Sequence, residues 1–85
     1  MVIDDVKRVV GGTLQLGARM NGMDETTPLL GAIPELDSMA VVSLITALEE
    51  RFGITVDDDE IGAATFETVG SLTRFVEQKL AVERG

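Results

Sequence analysis

The stretch PELDSMAVVSLITALEERF, residues 34–52, predicts the best-defined helix of this 85-residue chain and shows where it begins. Pro34 has no backbone N–H to donate and disfavours helical conformation in the residue before it. Asp37 has a short acceptor side chain suited to capping a helix start, and apolar residues recur at helical spacing directly after it. We therefore expect a helix over residues 38–52 with Asp37 as its N-cap.

The serine after this cap has no evident structural task. A serine at a helix start usually takes part in capping, but Asp37 can fill that role alone. Ser38 is then expected in the first turn with its hydroxyl directed at solvent, where the helix dipole favours an attached anion. From the residues alone, capping and the attachment of an anionic group both remain open for Ser38.

The predicted helix has two contrasting faces. Its apolar residues share one stripe at the 3.6-residue period: Val41, Leu44, Ile45, Leu48 and Phe52. The opposite face carries few charges: Met39, Ser43, Thr46 and Glu50, flanked by Ala40 and Ala47. A charge-poor exposed face is either a docking surface or a chance grouping of small residues. Gly53 follows the stripe and is expected as a left-handed C-cap.

Outside this helix, apolar periodicity predicts two further main helices and one short one. The predicted ranges are 3–16, 59–64 and 68–82, the last with Thr68 as its N-cap. Between the first two main helices lies a long connection rich in glycine and proline. Its expected anchors in the core are Leu29, Leu30, Ile33 and Leu36. The sequence thus predicts one all-α domain over residues 1–85, a small bundle of three main helices plus one short helix.

Composition excludes several classes of function. The chain has no cysteine and no histidine, which removes disulfides, thiolate metal sites and the commonest general base. A net charge of −8 opposes binding to nucleic acid, whose phosphates require a basic face. There is no apolar run long enough to span a bilayer and no secretory leader, so we expect a cytoplasmic, monomeric protein without membrane insertion.

The acidic cluster at residues 57–60 invites comparison with a calcium-binding loop. With Asp57 in the first ligand position, Ile61 falls in the fifth and Thr68 in the twelfth, where oxygen donors and a bidentate glutamate are required. The cluster therefore does not match an EF-hand. A loose surface site for divalent ions remains open, and Asp57 with Glu60 approximates a capping box.

The residues around Ser38 resemble those of the acyl carrier proteins. Leu36-Asp37-Ser38-Met39, followed by a valine- and leucine-rich helix, is similar to that family's modification site, and ALEERFGITVDDDEI (residues 47–61) is similar to the stretch after it. The resemblance implies that Ser38 carries 4′-phosphopantetheine, which a phosphopantetheinyl transferase transfers from coenzyme A. It also implies that Asp37 assists recognition of the site by this transferase. The thiol of that arm would hold acyl groups as thioesters and supply the sulfur that the chain lacks. The protein would then be a non-catalytic carrier.

The same resemblance implies partners and a docking surface. Acyl-loading ligases or synthases of fatty-acid-like, polyketide-like or other specialised acyl metabolism would deliver and receive the acyl group. The implied docking residues are Glu35, Met39, Ala40, Ser43, Thr46, Ala47, Glu49 and Glu50. Fatty-acid carriers are typically acidic on this face, whereas here Ala40 and Ser43 stand at those positions. We therefore expect docking to depend less on charge than in those carriers.

A sheltering space for the acyl chain is also implied by the resemblance. The residues expected to line it are Leu48, Val56, Ile61 and Ala64, which would otherwise be ordinary core. Two alternative functions stay open: a peptidyl carrier, and an unmodified helical adaptor that binds a protein groove. Peptidyl carriers usually have a glycine pair before the serine, where this chain has Pro34-Glu35-Leu36. An autonomous enzyme is not expected, because no catalytic constellation is evident.

Overall fold

A computed structural model describes residues 2–31, 33 and 36–84, excluding the side chains of residues 18, 19, 58, 83 and 84. Within these residues the chain forms three α-helices: α1 (Val2–Thr13), α2 (Ser38–Phe52) and α3 (Val69–Arg84). Two short 3₁₀-helices, Gly17–Gly22 and Asp58–Glu60, lie in the connections. The predicted all-α fold class is confirmed. In the described part of the chain, no helix is both long and apolar enough to cross a membrane.

The ends of α1 and α3 differ from the predicted ends by one to three residues, whereas those of α2 do not. α2 begins and ends at the predicted residues, and Gly53, in the left-handed conformation (φ 66°), caps it as expected. α1 ends at Thr13 rather than residue 16, because Gln15 has a positive φ of 55°, which a right-handed helix does not allow. α3 begins directly after Thr68, whose Oγ1 accepts a hydrogen bond of 3.0 Å from the N–H of Ser71.

The short helix predicted over residues 59–64 is a single 3₁₀ turn, Asp58–Glu60. The predicted capping interaction forms in part, since the N–H of Asp57 donates to Glu60 Oε1 at 3.2 Å. After this turn the chain makes further turns rather than continuing as a helix, with the N–H of Thr65 donating to the carbonyl of Gly62 at 3.0 Å. Gly62 lowers the helix propensity just after this turn, and so short a segment gains too few hydrogen bonds to offset the cost of helix nucleation.

The core is aliphatic and lies between the three helices and the long connection. Its fully buried side chains are Val6, Val10, Leu29, Leu44, Leu48, Val69, Leu72 and Val76. These include Leu44 and Leu48 from the stripe predicted for α2, together with residues of α1 and α3. Phe66, from the turn before α3, is also buried. Phe66 belongs to no helical period, so the apolar pattern of the sequence does not predict its burial.

The long connection before α2 is anchored at three of its four predicted positions. Leu29, Ile33 and Leu36 are buried, but Leu30 is 44% exposed. The N–H groups of Leu29 and Leu30 donate to the carbonyls of Glu67 and Phe66, both at 2.9 Å, which fixes this part of the connection against the turn before α3. The N–H of Ile33 donates to the carbonyl of Leu29 at 3.1 Å, so the chain turns directly after Leu29, and Leu30 lies on the exposed side of this turn.

Candidate functional site

The start of α2 is capped by Asp37, as predicted. Asp37 has extended backbone geometry, and its Oδ1 accepts a hydrogen bond of 2.8 Å from the N–H of Ala40. Its backbone carbonyl accepts the first helical hydrogen bond, from the N–H of Val41 at 2.9 Å. One residue therefore supplies both the side-chain and the main-chain part of the cap.

Ser38 is the first residue of α2 and is exposed to solvent. Because Asp37 already supplies the cap, the position of Ser38 suits a hydroxyl that is not required for folding. The first turn of α2 contains no acidic side chain, and the carboxylate of the preceding Asp37 accepts a hydrogen bond from the N–H of Ala40, so an anion attached to the Ser38 oxygen would meet the positive end of the helix dipole. The site therefore fits a phosphodiester on Ser38.

The exposed face of α2 is apolar where it is nearest to Ser38. Met39 is 79% exposed and Val42 is 64% exposed, with Ser43 and Thr46 also exposed. Ala40 and Ala47 are half-buried at the edges of this face. Residues 38–48 include no charged side chain. We call Met39, Val42, Ser43 and Thr46 the α2 patch.

Val42 is a member of this patch that the sequence analysis missed. It follows Met39 by three residues and precedes Thr46 by four, so all three lie on one helix face. A search of the exposed face at this spacing would have found it.

Two of the acidic residues predicted to dock partners, Glu49 and Glu50, differ in exposure. Glu50 is exposed, but it lies twelve residues after Ser38, which corresponds to about 18 Å along the helix axis. Glu49 is half-buried, and its Oε2 accepts a hydrogen bond of 2.9 Å from the N–H of Val56. Glu49 thus stabilises the segment after α2. Glu35 lies outside the described residues.

The four residues predicted to shelter an acyl chain are not equally buried. Leu48 is buried, while Val56 and Ile61 are partly buried against the core. Ala64 is exposed and instead borders an open groove of about 840 Å³. That groove lies between the start of α1 and α3, and Val2, Ile3, Thr73 and Glu77 also line it. Leu48, Val56 and Ile61 do not line this groove.

An ion pair connects the acidic turn after α2 to α3. Lys79 Nζ donates to both carboxylate oxygens of Glu60 at 3.0 Å, with side-chain exposures of 16% and 30% for Lys79 and Glu60. These hydrogen bonds from Lys79, together with the one from the N–H of Asp57, hold the pKa of Glu60 below its ordinary value. No group of three or more carboxylates in the described part of the chain is arranged to hold a metal ion.

Comparison with known proteins identifies the family. Residues 4–76 match the family model described as a phosphopantetheine attachment site. The chain is 38% identical over 79 residues to the acyl carrier protein of Wolinella succinogenes, covering 89% of this chain and 93% of that one. It is 39% identical over 79 residues to the acyl carrier protein of a Sulfurovum species, covering 89% and 95%. The chain belongs to the acyl carrier protein family.

The structure agrees with this assignment. The fold resembles that of a holo acyl carrier protein from Nitrosomonas europaea, determined in solution by NMR, with a TM-score of 0.88 and 57% sequence identity. The match covers 93% of this chain and 95% of the other. The family match confirms 4′-phosphopantetheine as the prosthetic group. Acyl carrier proteins are carriers rather than catalysts, which agrees with the expectation of a non-enzyme.

Proposed function

We propose that this acyl carrier protein holds acyl groups as thioesters on a 4′-phosphopantetheine arm attached to Ser38. It delivers them to enzymes of fatty-acid-like, polyketide-like or other specialised acyl metabolism. The observation that supports the attachment point is the exposed Ser38 at the start of α2, beside a cap that Asp37 completes alone. When bound, the arm supplies the thiol that a chain without cysteine cannot provide.

In this proposal the residues of the chain position and stabilise the attachment. Asp37 fixes the first turn of α2, which sets the direction of the Ser38 hydroxyl and presents it to a phosphopantetheinyl transferase. The N-terminal end of the α2 dipole stabilises the phosphodiester charge by roughly 0.3–1 kcal/mol at an exposed position. The transferase, not this chain, activates the Ser38 oxygen, which agrees with the absence of histidine and cysteine.

The attachment point is tested by intact mass after incubation of the unmodified protein with coenzyme A and a promiscuous phosphopantetheinyl transferase. We expect a gain of one phosphopantetheinyl group in the wild type and in Ser43→Ala, a matched exposed serine of the same helix. Ser38→Ala should gain none. A wild-type protein whose mass does not change would leave only the helical adaptor among the functions considered.

The docking surface is proposed to be the α2 patch, with its neighbours Ala40 and Ala47. The absence of charge in residues 38–48 and the high exposure of Met39 and Val42 support this. Glu35, Glu49 and Glu50 then contribute less, and Glu49 is in any case hydrogen-bonded to Val56. A partner that fits such a face presents apolar side chains to it rather than a basic patch.

The ionic-strength dependence of transferase binding tests this docking mode. Apolar docking predicts an affinity that changes little with salt, because screening acts on exposed charges. An Ala40→Glu, Ser43→Glu variant is the matched control, since two added carboxylates should make the dependence on salt steeper if the partner is basic there. A steep loss of affinity with salt in the unaltered protein would contradict the proposal.

The acyl chain is proposed to lie near Leu48, Val56 and Ile61, where the side chains are buried or half-buried. Attachment of a long acyl chain should then raise the melting temperature more than attachment of a short one, since it buries more apolar area. Ile61→Phe should reduce the gain from the long chain, whereas Ala64→Leu, at an exposed site, should not. An Ile61→Phe protein in which the long and the short chain lose the same amount of stabilisation would refute this location.

Loading distinguishes the acyl carrier from the peptidyl carrier. The holo protein should accept acyl groups from an acyl-adenylating ligase or synthase and should not accept amino acids from an amino-acid-adenylating enzyme. The reverse result would favour the peptidyl carrier. The cytoplasmic location and the monomeric state remain expectations from the sequence.

A further inference from the structure

The methionines of this chain differ sharply in exposure. The sequence has four, of which the structure describes Met20, Met23 and Met39. Met39 is 79% exposed, while Met23 is only 9% exposed. Met20 is partly buried against the core, and its sulfur packs directly over Gly11. Among the described methionines, Met39 is therefore the most exposed.

We propose that Met39 is a reversible oxidation site, and that its conversion to methionine sulfoxide by peroxides weakens the docking of partner enzymes beside Ser38. Exposure favours attack at Met39 over Met20 and Met23, because the oxidant must reach the sulfur. Oxidation at this position would affect docking, because Met39 follows Ser38 directly and lies on the α2 patch with Val42. The part of the inference that concerns docking rests on the proposed function, and the preference for Met39 does not.

The chemistry is a two-electron oxygen transfer. A lone pair of the Met39 sulfur attacks one peroxide oxygen, the oxygen–oxygen bond breaks, and a sulfur–oxygen bond forms. The other peroxide oxygen leaves as hydroxide and becomes water by taking up the proton that the transferred oxygen loses. The sulfur is oxidised and the peroxide is reduced. Methionine sulfoxide reductases reverse the step at the expense of a thiol reductant.

The expected effect on docking follows from the polarity of the product. A thioether is flexible and apolar and packs adaptably against apolar partner surfaces, whereas a sulfoxide is polar and needs hydrogen-bond partners when it is buried. Residues 38–48 contribute no charged group that could maintain the encounter once the apolar contact is weakened. Docking by the α2 patch should therefore be sensitive to one added oxygen atom.

The preference for Met39 is tested first, by peptide mapping of the protein after limited treatment with hydrogen peroxide. The form without the arm is used, because the thiol of the arm would itself react with peroxide. We expect the sulfoxide at Met39 to appear severalfold faster than at Met20 or Met23. Equal rates at the three sites would overturn the proposal.

The consequence is tested by the rate of loading from coenzyme A with a phosphopantetheinyl transferase, measured at low carrier concentration after the peroxide is removed. We expect a severalfold loss in the oxidised wild type and recovery after treatment with sulfoxide reductases. In Met39→Leu, the ratio of treated to untreated rate should stay near one, whatever the rate of the untreated variant. Unchanged loading of protein fully oxidised at Met39 would overturn the inference.

Two further results separate the possible causes of failure. Far-ultraviolet circular dichroism of the oxidised protein should match that of the untreated protein, and a loss of helical signal would attribute slow loading to unfolding and overturn the docking role. Untreated protein that cannot be loaded would refute the proposed function and with it the docking role. The preference for Met39 would still be decided by the peptide map.

Discussion

Asp37 and Ser38 have separate roles at the start of α2: Asp37 caps the helix, and Ser38 is left available for modification. The carboxylate of Asp37 accepts the hydrogen bond from the N–H of Ala40, so the Ser38 hydroxyl is not needed for that contact. A chain with serine at the cap itself would lose its capping acceptor geometry when the hydroxyl was esterified. The order Asp-Ser therefore allows a modification at the helix start without loss of the cap.

We predict that Asp37→Ala destabilises the fold by about 1 kcal/mol, the usual cost of losing an N-cap acceptor. For a domain of this size that corresponds to a fall in melting temperature of roughly 4–8 °C, measurable by circular dichroism. Asp37→Asn is the matched control, because it keeps an acceptor oxygen and removes the charge. Its stability should stay near that of the wild type.

The same pair of variants separates capping from recognition. If Asp37 also contributes its charge to the transferase, Asp37→Asn should load more slowly than the wild type although its melting temperature is retained. If Asp37 acts only as a cap, Asp37→Asn should load at the wild-type rate. Instability of Asp37→Asn equal to that of Asp37→Ala would show that the hydrogen bond to Ala40 is not the stabilising contact.

At the scale of the elements, the start of α3 is held by the long connection. The N–H groups of Val69 and Gly70 donate to the carbonyls of Thr27 and Glu25 at 3.0 Å and 2.9 Å. The turn that presents these carbonyls is closed by Asp24, whose Oδ1 accepts from the N–H of Thr26 at 2.9 Å. The connection thus binds N–H groups that a helix start leaves without a helical partner.

This contact requires glycine at position 70. A Cβ at Gly70 would lie 2.6 Å from the carbonyl oxygen of Glu25, and that oxygen is backbone. We predict that Gly70→Ala destabilises the fold by roughly 1–3 kcal/mol, the usual cost of overpacking. Urea unfolding followed by circular dichroism measures the difference.

Gly12→Ala is the matched control for Gly70→Ala. Gly12 lies inside α1, is exposed, and has no neighbouring atom within 4 Å of an added Cβ. It should gain up to about 1 kcal/mol, because alanine is the better helix former. A Gly70→Ala protein as stable as the wild type would show that the connection can move away from α3 without cost.

The ion pair between Glu60 and Lys79 predicts a pH dependence for the acidic turn. Folding lowers the pKa of Glu60 from its ordinary 4.5, so the unfolded chain binds this proton more readily than the folded one. The contribution of Glu60 is therefore complete above pH 4.5 and is lost as the pH falls through the lowered folded pKa. Hydrogen bonds from Lys79 are the main cause of the shift.

We accordingly predict that Glu60→Gln is less stable than the wild type at neutral pH, and that the difference disappears as the pH falls below 4.5. Thermal unfolding of both proteins across the acidic range measures this. Asp59→Asn, at an exposed carboxylate of the same turn, should show a smaller difference at neutral pH. A difference for Glu60→Gln that stays constant down to the lowest pH would mean that the ion pair does not stabilise the turn.

At the scale of the whole molecule, acidic groups exceed basic groups by fifteen to seven. Among the described side chains, Arg51 pairs with Asp5 at 2.7 Å, joining α2 to α1, and Lys79 pairs with Glu60 at 3.0 Å. A net charge of −8 on a chain this small implies repulsion that opposes the compact state. At 0.1 M ionic strength, repulsion between exposed charges more than about 10 Å apart is largely screened.

We predict that the melting temperature rises with ionic strength, and that sodium chloride and magnesium chloride act alike when compared at equal ionic strength. The second expectation follows from general screening, since the described carboxylates form no cluster arranged to hold a metal ion. Differential scanning calorimetry with both salts measures this. A rise specific to magnesium would instead indicate bound ions at the acidic turn, and a flat response would mean that repulsion does not limit stability.

The sequence by itself determined α2, its cap and its family. Asp37, the apolar stripe and Gly53 act through contacts within a few residues of one another, and local patterns encode such contacts. The resemblance around Ser38 was also local, and the comparisons confirmed the family that it indicated.

Only the tertiary structure decided which surfaces are exposed and how the connections are held. Leu29 is buried and Leu30 is exposed at a turn whose N–H groups donate to residues 66–67, and Glu49 accepts a hydrogen bond from Val56. Gly70 is needed because Glu25, distant in sequence, approaches it closely. Each of these depends on a partner far along the chain or on backbone geometry outside a helix, where no repeating pattern indicates the contact.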